Sequence, residues 1–203
     1  MSRRSLAFNF ILLAFILFVP APAVVKAQDK AVESIKQLYQ EIGAKIELSE
    51  KGSEDSQIAG VFCSELVVNR NNHIWPVVGT YEMTYRFYYD LAHTEGRPYP
   101  DRLRKVVMKS NMSARSYFSE YVFDEAGALV FYFTKPNEPP IGDEPQRLEQ
   151  RIYFAHGRPI RVIDGQKIRD SLTVKDLEYA REIIKTSRDI KLFFAKSLDL
   201  PNG

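Results

Sequence analysis

The chain has 203 residues, with 28 Lys and Arg against 26 Asp and Glu, a formal charge of +2. Its 45% hydrophobic and 27% charged residues are globular values, which exclude a wholly disordered or collagen-like chain. The single cysteine excludes an intramolecular disulfide framework and any cysteine-rich zinc module.

The charge is unevenly placed. Arg3 and Arg4 precede an apolar run over residues 6–19, and Pro20 and Pro22 then interrupt it before Val25-Lys26-Ala27. Basic start, apolar middle and small-residue box have the layout of a secretory signal peptide, residues 1–27, with cleavage after Ala27 or after Ala23. The alternative is a retained anchor. A spanning helix needs about 20 apolar residues, and residues 6–25 reach that length only by including Asn9 and both prolines. Cleavage after Ala27 removes Arg3, Arg4 and Lys26 and no acid, leaving 25 basic against 26 acidic residues, a charge of −1. The +2 thus belongs to the leader and gives no basis for a nucleic-acid partner. The expected destination is periplasmic or extracellular, with no stable membrane anchor after cleavage.

Residues 28–203 suit one domain. Val32, Ile35, Leu38, Tyr39 and Ile42 recur at three and four, predicting a helix over 29–43 that Gly43 ends. From residue 58 the apolar period becomes two. Strands are predicted over 58–69, 77–89, 103–112, 115–123, 128–134, 148–154 and 160–163, with turn residues between them. A long helix over 174–196 follows, opened by Thr173 with Asp176 as a capping box, its stripe made by Leu177, Ala180, Ile184, Ile190 and Phe194. The expected architecture is α+β: an antiparallel sheet of about six strands, with an N-terminal and a long C-terminal helix packed on one face.

Two hairpins look related. Tyr121-Val122-Phe123 with Gly127 parallels Ile152-Tyr153-Phe154 with Gly157, with one residue fewer in the second turn. The first is similar to the Tyr-Asp-Gly hairpins of YD-type repeat proteins; the second lacks the Asp.

Residues 62–154 hold seven Phe, nine Tyr and Trp75. Tyr81, Tyr85, Phe87 and Tyr89 alternate as a core face. Arg86, Tyr88, Glu120, Tyr132, Arg151 and Tyr153 are then expected to point away from the helices. Tyr and Arg combine planar contact area with directed hydrogen bonds, so these six form the candidate ligand-binding set.

Catalytic chemistry has few candidates. Gly-x-Ser-x-Gly, Ser-x-x-Lys and phosphate-loop motifs are absent, and no cofactor is predicted. Asp90, His93 and Glu95 are the best polar group for a metal or acid–base role. Cys63, inside an apolar strand, is expected to be buried and inert, and His73 is its only paper partner. Asn111-Met112-Ser113 matches a glycosylation sequon. The preferred expectation is a non-catalytic domain binding an unknown protein or small-molecule ligand. The alternatives are an envelope hydrolase or isomerase, and a structural envelope protein pairing through a sheet edge.

Overall fold

The computed structural model describes residues 21–51, 60–77, 79–91, 100–113, 115–136 and 149–198. Among these residues two helices, α1 (Ala21–Glu50) and α2 (Val174–Leu198), bracket the strands in sequence. The strands are β1 (Val61–Val68), β2 (Ile74–Trp75), β3 (Gly79–Asp90), β4 (Arg102–Met112), β5 (Arg115–Phe123), β6 (Leu129–Pro136), β7 (Gln150–Ala155), β8 (Arg158–Asp164) and β9 (Lys167–Arg169). They form one antiparallel sheet in the order β1-β3-β4-β5-β6-β7-β8-β9, with β2 added to β3. From β3 on, each strand lies beside its predecessor, the least costly way to join antiparallel neighbours. The α+β architecture is the expected one. The extra strands are β2 and β9, two and three residues long, too short for an alternation to register.

The two related hairpins are also alike in three dimensions. In β5–β6 the pairing shifts between Val122 and Phe123, and in β7–β8 between Tyr153 and Phe154, at matching positions of the two sequences. Each shift leaves one residue of the returning strand, Val130 or Ile160, as a bulge. Gly127 (φ +74°) closes the first turn, where Ala128 N–H also donates to Asp124 Oδ1 at 2.8 Å. His156 and Gly157, both with positive φ, form the two-residue second turn.

α1 runs past Gly43. A glycine inside a helix costs about 1 kcal/mol, whereas burying an aliphatic side chain contributes about 1.5–3 kcal/mol. Ile42 and Ile46 on either side of Gly43 are both buried, so the helix gains by continuing. α2 begins at the expected cap. Asp176 N–H donates to Thr173 Oγ1 at 3.2 Å, and Thr173 N–H donates to Asp176 Oδ2 at 2.9 Å. Arg169 Nη2 adds a bond to Asp176 Oδ1 at 2.8 Å. Burial alone would raise the Asp176 carboxyl, but the Arg169 and Thr173 donors outweigh it and hold it below the ordinary carboxylate range.

The helices do not share a face, and this corrects the sequence expectation. Phe87, Val106, Tyr121, Tyr132, Ile152 and Val162 align across the sheet and pack with Ala180, Ile183, Ile190 and Phe194 of α2. The next row, Tyr88, Lys105, Val122, Phe131 and Tyr153, packs on the other side with Val32, Ile35, Ile42 and Ile46 of α1. The molecule therefore has three layers, helix on sheet on helix. The cause lies in runs such as Leu129-Val130-Phe131-Tyr132-Phe133, apolar at every position, which leave neither face fit for water. Thr173→Ala removes the α2 cap and is expected to lower stability by about 1 kcal/mol, read by chemical denaturation.

A candidate ligand cleft beneath the N-terminal helix

Five of the six candidate residues lie on one face. Arg86 and Tyr88 come from β3, Glu120 from β5, and Arg151 and Tyr153 from β7. Arg86, Val107, Glu120, Phe133 and Arg151 align in one row, and Tyr88 and Tyr153 fall in the adjacent row on the same side. That side carries α1, so the expectation that the set points away from the helices is corrected. Tyr132 does not share the face of the other five. It pairs with Tyr121 on the α2 side, and its hydroxyl lies 3.4 Å from that of Tyr179. The turn and the Val130 bulge place Phe133, not Tyr132, opposite Glu120. A one-residue offset sends a side chain to the other face.

Sequence reading missed the group that fastens α1 to this face. Lys105 Nζ meets Glu120 Oε1 at 2.7 Å, and Tyr39 OH of α1 donates to Glu120 Oε2 at 2.7 Å. The Lys105 ammonium also sits 4.7 Å from the centre of the Tyr39 ring. Lys105 and Glu120 are both buried, so each needs the other, and Tyr39 satisfies the second carboxylate oxygen. Burial and then the Glu120 carboxylate push the Tyr39 hydroxyl well above the ordinary tyrosine range, keeping it a donor. Tyr88 OH donates to Glu50 Oε1 at 2.7 Å and is pushed up first by burial and then by the Glu50 carboxylate. At the opposite end of α1, Gln28 Nε2 donates to the Ile160 carbonyl, and Asp29 pairs with Arg161 at 2.7 Å. In the sequence Lys105 is only one of two basic residues, with Arg104, between Leu103 and Val106.

Between the middle of α1 and β6–β7 a cleft of about 280 Å³ opens. Ile35, Lys36, Tyr39 and Gln40 form its helix wall, and Phe131, Phe133, Arg151 and Tyr153 its sheet wall. The rings meet at angles: Tyr39 and Phe131 lie 5.2 Å apart at 64°, and Phe131 and Tyr153 lie 5.0 Å apart at 58°. The Arg151 guanidinium lies over Phe133 at 5.4 Å and pairs with Glu149 at 2.6 Å. Burial pushes the Tyr153 hydroxyl above its ordinary value, so it stays protonated. Planar apolar walls with two cations and an amide can grip a flat or chain-like group that carries a polar, preferably anionic, head. Of the original six, Arg151 and Tyr153 line this cleft. Glu120 supports it through Tyr39. Arg86, paired with Glu65 at 2.6 Å, and Tyr88 stand towards the β1 edge and do not line it.

The other candidates separate. Asp90 is held by Arg102 through two contacts, 2.6 and 3.1 Å, with Arg104 approaching at 3.9 Å. His93 and Glu95 lie outside the described residues. Among the described residues no group of three His, Cys, Asp or Glu could hold a metal ion. Asn111 is exposed at the end of β4, where its Oδ1 accepts the Ser116 hydroxyl at 2.7 Å.

Cys63 is exposed, not buried, because β1 has a strand neighbour on one side alone among the described residues. Partial burial still pushes its thiol above the ordinary value. It faces Tyr88, whereas the residue next to His73 faces Thr80, eight positions away along β3. That separates Cys63 from His73 by roughly 25 Å at 3.3 Å per residue. An alkylating reagent is therefore expected to modify Cys63 completely in the folded protein, but slowly at neutral pH. The rate should climb only above the ordinary thiol pKa of about 8.5. Compared with protein family models, curated proteins and solved structures, the chain matches none.

Proposed function

We propose that the chain is an exported, non-catalytic binding protein whose cleft beneath α1 holds a small amphipathic ligand with an anionic head. The observation that carries this reading is the cleft itself: angled aromatic walls, with Arg151 and Lys36 among its lining residues. The rings supply apolar contact area, and a guanidinium already stacked on Phe133 is preorganised for a carboxylate or sulfonate. Nothing lining the cleft is an evident nucleophile or acid–base pair, which favours binding over turnover.

Export rests on the leader pattern, and the attachment of α1 is consistent with it. Lys26 and Ala27 are exposed, and among the described side chains of α1 the first bonded to the body are those of Gln28 and Asp29. A cut after Ala27 would leave every one of those contacts in place. It would also put Asp29 in the first turn of the shortened helix, where an acidic residue suits the helix dipole.

Two measurements test the proposal. Anilinonaphthalene sulfonate, an aromatic anion, is expected to bind saturably. Arg151→Ala should weaken it about tenfold or more, the scale of a lost charge-assisted contact, and Tyr153→Ala should weaken it in the same direction. Equal binding by the wild type and both variants, with unchanged melting temperatures, would remove the cleft from consideration. Expressed with its own leader in a secreting host, the recovered protein should begin at Gln28 by intact mass. An uncut chain would sink the export reading.

A further inference from the structure

Both cations that line the cleft already have carboxylate partners. Arg151 Nη2 meets Glu149 Oε1 at 2.6 Å, and Lys36 Nζ meets Glu33 Oε2 at 3.4 Å. The two pairs are not equal. Lys36 and Glu33 are both exposed and lie three residues apart on α1, so water screens their attraction. Glu149 is tethered more firmly. It stands two residues before Arg151, the spacing that puts side chains of an extended chain on one face. Its carbonyl accepts the Gly165 N–H at 2.8 Å, which ties its backbone to the next strand connection. The carboxylate is thereby kept beside the guanidinium at an effective concentration that a free ligand must overcome.

Tyr153, two residues beyond Arg151, completes the row. Burial raises its hydroxyl, while Lys36, Arg151 and Arg161 pull it back down, so all three cations lie within electrostatic reach of it. Arg161 is occupied by Asp170 at 2.5 Å and Asp29 at 2.7 Å. Lys36 and Arg151 are therefore the cations left to meet a ligand beside Tyr153.

A ligand carboxylate arriving at Arg151 makes the kind of bond that Glu149 makes already, and it sends Glu149 back to water. That exchange is close to neutral, and the ligand also loses its freedom of motion. A head with three terminal oxygens on a tetrahedral centre has more to gain. It offers acceptors to Arg151, to the Lys36 ammonium and to the Tyr153 hydroxyl together, bonds that Glu149 does not supply.

We infer that Glu149 is a built-in competitor for Arg151, and that the cleft therefore selects an apolar ligand with a sulfo or phospho head over one with a carboxylate. The inference rests on the cleft reading above and narrows which anions the cleft admits.

Probes sharing one naphthalene ring test it: naphthalene sulfonate, naphthyl phosphate, naphthoate and the neutral naphthalenemethanol, each titrated calorimetrically into the purified full chain. The sulfonate and the phosphate are expected to bind about tenfold more tightly than naphthoate, the scale of one charge-assisted bond. Naphthoate should bind no better than the neutral alcohol. The order of the two tetrahedral probes assigns the head to the sulfo or the phospho class. Glu149→Gln keeps the side chain's shape and removes its charge, and should tighten naphthoate about fivefold, the scale of a partly exposed ion pair. Adding Arg151→Ala should abolish that gain, which a general change of surface charge would leave intact. Equal wild-type affinity for naphthoate and the tetrahedral probes overturns the inference and leaves the cleft as a binding site. So does an unchanged affinity for naphthoate in Glu149→Gln. Failure of every probe to bind overturns the cleft reading as well.

Discussion

An antiparallel sheet that is apolar on both sides at its centre cannot leave either side to water, and the rest of this molecule follows from that. Phe87, Val106, Tyr121, Tyr132, Ile152 and Val162 demand one cover, and Tyr88, Val122, Phe131 and Tyr153 demand another. The helices at the two ends of the domain supply them, one to each face. Each is long enough to lie across several strands. Removing either would expose a contiguous aromatic surface of the kind that drives aggregation.

The two covers differ in chemistry. The α2 side is closed by aliphatic and aromatic packing, whereas the α1 side has a buried ion pair at its centre. Lys105 and Glu120 would be strongly destabilising if left incompletely bonded. Tyr39 completes the set, which fixes the rotation and height of α1 above the sheet. With α1 fixed there, the rings of Tyr39, Phe131 and Tyr153 meet at 64° and 58° and do not close flat. The cleft is the space those angles leave.

β3 and β4, of 12 and 11 residues, are the longest strands, and at 3.3 Å per residue each runs roughly 35–40 Å. β7 is half that length. The helices cover the middle, where all the strands overlap, and the ends of β3 and β4 project beyond. That division separates the cleft in the packed middle from the exposed apolar tip at β2.

Much of this was legible in the sequence. The period-two segments, the turn at Gly127 and the Thr173–Asp176 cap follow from local chemistry that operates within a few residues, and the structure keeps them. Similarity between the hairpins was legible too, but the bulge they share emerges only from the strand pairing. Local pattern could not say that Gly43 would be overridden, because the gain from Ile46 exists only once the sheet lies beneath it. Nor could it assign Tyr132 to a face, since one bulged residue in β6 inverts the parity. Arg151 and Tyr153 were recognisable as binding-type residues, but their partners in the cleft sit on α1, more than a hundred residues earlier. By itself the sequence determined the longer strands and both helices, their order and their antiparallel pairing, because hairpin turns and alternation are short-range. Only the tertiary structure decided which face each helix covers, that Lys105 and Glu120 are buried together, and where a cleft remains, because these depend on contacts between segments far apart in the chain.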